Sequence, residues 1–166
     1  MQRYYFYAKL TFNGGRTVRK ILFKAKRKDN SEWVEGNLIT NERNENQKYI
    51  GYIFDERNGV IEDFDIVEVV PDTLCQYTGL KDKNGRRIWE NDIVTITLEC
   101  DDYLIPSETG IVAYSYGQYE LKVKAPDGQE AYSNLINKLS EAPFEIEKLG
   151  NMFDNADLLE GKDGDL

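Results

Sequence analysis

Leu74-Cys-Gln-Tyr-Thr-Gly-Leu-Lys-Asp-Lys-Asn-Gly-Arg-Arg-Ile-Trp-Glu-Asn-Asp-Ile-Val94 carries the most specific turn chemistry in the chain. Asn84-Gly85 is the favoured pair for a two-residue type I′ hairpin, because both central positions need φ > 0, which Asn and Gly tolerate. That turn predicts a register in which Lys83 faces Arg86, Asp82 faces Arg87 and Leu80 packs on Trp89. Ile88, Val94, Ile96 and Leu98 then share one parity, with Thr95, Thr97 and Glu99 on the other. This is the alternation of strands with one wet face. Asn91-Asp92 breaks it and reads as a bend into a new strand.

Short strands extend in both directions from this hairpin. Upstream, residues 3–12 are rich in aromatics and are followed by Asn13-Gly14-Gly15 and a second run through Thr17–Phe23, which predicts a further hairpin. Strands are expected at Trp33–Thr40 and Tyr49–Asp55 around a polar loop, 41–48, and Asn58-Gly59 turns the chain into Val60–Val70. Downstream, Ile93–Glu99 and Gly110–Tyr116 read as strands, Asp101–Thr109 as a loop holding Pro106, and Gly117 as a turn. Tyr119, Leu121 and Val123 alternate with Glu120 and Lys122, and Pro126-Asp127-Gly128 closes that strand. Helix is confined to one or two short pieces, capped by Ser133 and by Asn155. The expectation is a mostly β protein with three regions: a β-rich part over 1–71 ending at Pro71, a small barrel over 72–160, and an acidic tail over 161–166.

Gln76-Tyr77-Thr78-Gly79-Leu80-Lys81-Asp82-Lys83-Asn84-Gly85, followed by Ile88-Trp89-Glu90-Asn91-Asp92-Ile93-Val94, resembles the signature of the YopX-like proteins of phages and prophages. Tyr77, Thr78, Gly79, Leu80, Asn84, Gly85, Trp89, Asp92, Ile93 and Val94 are the signature positions, and their roles are structural. The family pattern has Gly where this chain has Asn91, the other residue at ease with φ > 0. Lys24–Gly36 is similar to the family's opening and Ile146–Leu159 to its ending, so the resemblance covers roughly residues 22–160. It implies an SH3-like barrel for the second half and a phage-borne gene. It supplies no activity and no catalytic residues.

Composition narrows the chemistry. The 166 residues carry thirty Asp and Glu against twenty-one Lys and Arg, a formal charge of −9, which repels a phosphate backbone at long range. Histidine is absent, which removes Ser-His and Cys-His nucleophile pairs, histidine metal sites and the commonest general base. Cys75 and Cys100 are too few for a disulfide framework and lack metal-site spacing. Carboxylate groups at Glu62-Asp63-Asp65, at Asp92 and at Glu99-Asp101-Asp102 are the remaining catalytic or magnesium-binding candidates, and their frequency favours a solubilising role. No cofactor motif is present. The N-terminus has no leader-like apolar segment and no long apolar run follows, so the chain is expected in the cytoplasm of its bacterial host, off the membrane.

Two functional readings follow. The first is a non-enzymatic accessory protein that binds a host or phage protein or assembles as a homo-oligomer. The second is a nucleic-acid-binding module using Lys81, Lys83, Arg86 and Arg87 at the hairpin tip, with Tyr77 or Trp89 stacking on bases. The dense positive run Lys24-Ala-Lys-Arg-Lys28 reads as a solvated strand end, with a phosphate-contacting patch as its sharper alternative.

Overall fold

Alternating apolar and polar side chains assemble two antiparallel sheets in a computed structural model that describes residues 20–57, 60–100, 103–124, 129–134 and 144–159. The first sheet is formed by β1 (Phe23–Lys26), β2 (Trp33–Thr40), β3 (Lys48–Arg57), β4 (Val60–Val69), β5 (Cys75–Lys81) and β6 (Arg87–Trp89), in the order β4-β3-β2-β1-β5-β6. The second is formed by β7 (Asp92–Cys100), β8 (Tyr103–Ser115), β9 (Gln118–Lys124), β10 (Glu130–Asn134) and β11 (Phe144–Asn151), ordered β10-β9-β8-β7-β11. β5 and β6 lie beyond Pro71 yet hydrogen-bond into the first sheet through β1. The predicted N-terminal hairpin (3–12 and Thr17–Phe23) up to residue 19, the Asn58-Gly59 and Pro126–Gly128 turns and the tail 161–166 fall outside the described residues.

The first sheet curls onto one face. Arg27, just past β1, bridges Val69 at the end of β4, and the Val70 N–H donates to Lys26 O at 2.9 Å. Ala25, Ile50, Val67 and Val69 are buried inside the curl, with Phe23, Val34, Tyr52 and Leu74 packed around them. Gly36 makes the curl possible: a Cβ there would sit 2.3 Å from the Gly51 carbonyl oxygen. Gly36→Ala is therefore expected to cost about 2 kcal/mol or more, since neither backbone can yield cheaply. Asn37→Ala on the exposed side of the same strand should stay within about 0.5 kcal/mol. Equal denaturation midpoints for the two variants would contradict this.

The second core is Ile88, Val94, Ile96, Val112, Tyr119, Leu121 and Ile146, so the predicted inward parity of Ile88, Val94 and Ile96 holds. A third cluster, Cys75, Tyr77 and Trp89 with Leu22, Trp33 and Phe153, bridges from the first sheet to the segment after β11. Asn91 links the halves with φ 63°, its N–H donating to Val112 O at 2.8 Å and its carbonyl accepting from Met152 N–H at 2.9 Å. The left-handed bend expected there is present.

Four local expectations are corrected. The central hairpin has a three-residue loop: Gly85 N–H donates to Asp82 O and Asp82 N–H to Arg86 O, at 2.9 and 2.8 Å, with Gly85 at φ 80° and Asn84 outside the positive-φ residues. A type I turn followed by a left-handed Gly gives this geometry. The register becomes Lys81 opposite Arg87 and Tyr77 opposite Trp89, with an irregularity between, where Gly79 sits at φ 91°. Leu80 therefore does not face Trp89. A type I′ pair, φ > 0 at both positions, occurs instead at Tyr116-Gly117 between β8 and β9.

Residues 103–109, expected as a loop, continue β8 because they pair with the extension of β7, Cys100 opposite Tyr103 and Leu98 opposite Ile105. Ser133 lies in β10 opposite Leu121, and the short helix expected after it, through Leu135, Ile136 and Leu139, lies outside the described residues. At the C-terminus the described helix is one 3-10 turn, Ala156–Leu159, in which Asn155 accepts Leu158 N–H through its backbone carbonyl. Its side chain accepts Asn151 N–H instead.

Candidate functional site

The hairpin tip holds its cations among carboxylates. The Asp82 side chain is fully buried and accepts Asn84 N–H at 2.9 Å, Arg86 N–H at 2.8 Å and Arg86 Nε at 2.7 Å. Lys148 N–H on β11 adds a fourth donor at 3.3 Å. Burial opposes ionisation, but the Arg86 side chain and these backbone donors outweigh it and hold the carboxyl at about 2. Lys83 pairs with Glu147 at 2.6 Å, and Arg87 pairs with Glu35 at 2.5 Å while lying 5.9 Å from the Tyr77 ring centroid. Lys81 is exposed and, among the described residues, has no ion pair.

The positive run at 24–28 is likewise neutralised, cation by cation. Lys26 pairs with Asp154, Arg27 with Asp29 and Lys28 with Glu68, at 2.5, 2.7 and 2.6 Å. Lys24 is the exception to the solvated-strand reading, because it is buried. Its Nζ is 2.7 Å from Asp92 Oδ1, and Lys148 Nζ is 2.8 Å from Asp92 Oδ2, which also accepts Trp89 N–H at 2.9 Å. The Lys24 ammonium lies 4.9 Å from the Trp33 ring centroid and 5.6 Å from that of Trp89, so it is also held by aromatic faces. Burial lowers the Lys24 pKa; Asp92 opposes that shift and Lys148 reinforces it. Through this centre β1, the start of β7 and β11 share one buried charge cluster.

The catalytic candidates are dispersed or structural. Asp92 is occupied by two ammonium groups and a backbone donor. Asp65 accepts the Tyr52 hydroxyl at 3.2 Å, and the side chains of Glu62, Glu99, Asp101 and Asp102 lie outside the described residues. Among the described residues no group of three His, Cys, Asp or Glu is placed to hold a metal ion. The Cys75 thiol is buried, and burial pushes its pKa up, the direction that quenches a nucleophile.

An apolar patch also lies open to solvent. On the outer side of the curled sheet, Ile53 faces Phe64 and Gly51 faces Ile66 across β3 and β4, and Ile39 of β2 leans over Gly51. Phe64 is 60% exposed, Ile53 and Ile66 48%, and Ile39 39%. The sequence concealed this surface because β3 and β4 carry apolar residues at both parities, so periodicity could not say which side is covered. Lys24 was concealed for a different reason: its partners Asp92 and Lys148 are remote in sequence. Tyr116, at the β8–β9 turn, is also wholly exposed.

The family model described as YopX protein matches residues 22–160, most of the chain and all but two of the described residues. No curated protein matches it. Among the described residues no helix is long and apolar enough to cross a membrane.

Proposed function

This chain belongs to the YopX family, and from that premise we propose that it is a non-enzymatic accessory protein of a phage or prophage, working in the host cytoplasm as a protein-docking and self-assembling module. The reading of residues 72–160 as an SH3-like barrel belongs to the same proposal. The observation that carries it is the outer face of β2, β3 and β4, where Ile39, Ile53, Phe64 and Ile66 form one apolar surface on a chain rich in charge. Contiguous exposed apolar surface is the ordinary mark of a protein interface. Among the described residues, Asp92 meanwhile serves as the ion-pair partner of Lys24 and Lys148, and the Cys75 thiol sits in the core.

A second copy of the chain is the partner to test. Sedimentation of the full chain over a concentration series should show self-association that Phe64→Asp weakens at least tenfold, with the melting temperature held because Phe64 is largely exposed. A wild-type chain that stays monomeric throughout, or a variant of unchanged mass, would sink self-docking on this face. The nucleic-acid reading of the tip has less support, since Lys83, Arg86 and Arg87 already meet carboxylates and, of the four, Lys81 alone has no such partner among the described residues.

A further inference from the structure

Resting on the docking reading but not on self-association, we infer that the edge of β4 at Phe64 and Ile66 takes an extended, basic peptide segment of another protein as an added strand. β4 ends the first sheet, and among the described residues its outer edge is covered only by the residues around the end of β1. Lys28 N–H donates to Glu68 O at 3.0 Å and Val70 N–H to Lys26 O at 2.9 Å. Glu68 and Val70 thus turn their backbone groups away from β3. By two-residue alternation Ile66 and Phe64 do the same, since they lie opposite Gly51 and Ile53 in the same unbroken register. The Ile66 N–H accordingly donates to the adjoining Asp65 carboxylate, at 2.8 Å, instead of to a strand. The cover stops at Lys28 because the chain reverses there: Ser31 N–H donates to Arg27 O and Arg27 N–H to Glu32 O, with Ser31 at φ 63°. Beyond it lies an open cleft of about 440 Å³, with Arg27, Lys28 and Asp29 on one wall and Asp65, Ile66 and Glu68 on the other.

The chemistry of this edge selects the occupant. A strand added to β4 places the residues opposite Phe64 and Ile66 on their apolar side of the sheet, and its alternate residues on the side of Asp63 and Asp65. Asp63 is exposed, and neither it nor Asp65 has an ion pair among the described residues. Asp65 accepts the Tyr52 hydroxyl at 3.2 Å through its second oxygen. The cations of the facing wall are already committed, Arg27 to Asp29 and Lys28 to Glu68. The fitting segment therefore alternates Lys or Arg with Val, Ile or an aromatic residue. A second β4 does not fit the edge. Antiparallel pairing centred on Phe64 would face Asp63 with the other copy's Asp65, and pairing centred on Asp65 would face that residue with itself, like charge against like. Asp65 is also the stand-in acceptor: its Oδ1 takes the Ile66 N–H that a peptide carbonyl would take, and a peptide cation would receive the freed carboxylate.

The test titrates the full chain into a labelled synthetic peptide that alternates Lys with Val, and follows fluorescence anisotropy alongside sedimentation mass. Saturable binding is expected. It should weaken about tenfold or more when the peptide is N-methylated at its Val residues, whose N–H groups face the edge, because the strand hydrogen bonds go while every charge stays. A peptide with Glu in place of Lys should weaken as much. On the protein side, Ile66→Pro removes an edge donor without touching the β3–β4 ladder, and Asp63→Lys reverses an exposed charge; each should weaken binding about fivefold or more. Asp63→Lys and the methylated peptide still decide the matter should Ile66→Pro fail to fold. Equal affinity for the methylated peptide would overturn the proposal, since only general attraction to an acidic chain would remain. So would no binding, or wild-type affinity in Asp63→Lys. Peptide binding by a chain that stays monomeric would uphold the edge site while self-docking fails, and a self-associating chain that ignores the peptide would do the reverse.

Discussion

Asp92→Ala is expected to cost about 3–5 kcal/mol, a large share of the stability of an ordinary domain, because it strands Lys24 and Lys148 beside each other without their common counter-charge. Asp92 is wholly buried and fills both oxygens with ammonium groups at 2.7 and 2.8 Å. Removing one partner of a buried pair leaves an uncompensated charge, whereas replacing a redundant cation does not. Lys148→Met should therefore cost far less, about 1 kcal/mol, since Asp92 keeps Lys24 and the Trp89 N–H and the methionine stem packs in the same place. Chemical denaturation of the two variants decides the matter, and a loss below about 1 kcal/mol for Asp92→Ala would mean that the centre is not a staple.

The second large effect is the pH dependence set by Asp82. Its carboxyl titrates at about 2 in the folded chain against a usual 3.8, a difference equivalent to about 2 kcal/mol. A depressed carboxyl stabilises the fold fully above its unfolded pKa and ceases to do so as pH falls through its folded value, so the loss should develop between about pH 4 and pH 2. Asp154 titrates at about 2 as well, held there by Lys26 first and then Asn151, but its side chain is 36% exposed and solvent screening reduces its share. Asp82→Asn should lower stability at pH 7 by about 2 kcal/mol and flatten the acid limb. The variant and the wild type compared by denaturant midpoint at pH 7 and near pH 2 should converge on acidification. Parallel acid limbs would show that Asp82 does not hold the turn.

The same residue shows why the central hairpin was only partly legible. Asn84-Gly85 signals a reversal, and a reversal is there, but a free hairpin would choose the two-residue turn. Asp82 changes the choice by accepting the N–H groups of Asn84 and Arg86 while its carboxylate is buried against β11. Thr78 then completes the altered register, its hydroxyl donating to Ile88 O at 2.8 Å and accepting Leu80 N–H at 3.1 Å. Residues 103–109 show the opposite error. Pro106 and mixed polarity suggested a loop, and the long partner strand β7 drew them into the sheet.

The amino-acid sequence alone determined the β class, the parity of Ile88, Val94 and Ile96, the left-handed bend at Asn91, the family and the absence of histidine chemistry. These are local matters of backbone sterics, two-residue alternation and composition. Tertiary structure decided the hairpin register, the burial of Lys24 against Asp92 and the exposure of Ile53, Phe64 and Ile66. Each of these depends on what a remote strand brings against a residue: alternation marks two faces of a strand, and only the packing of the other sheet and of β11 decides which face is dry.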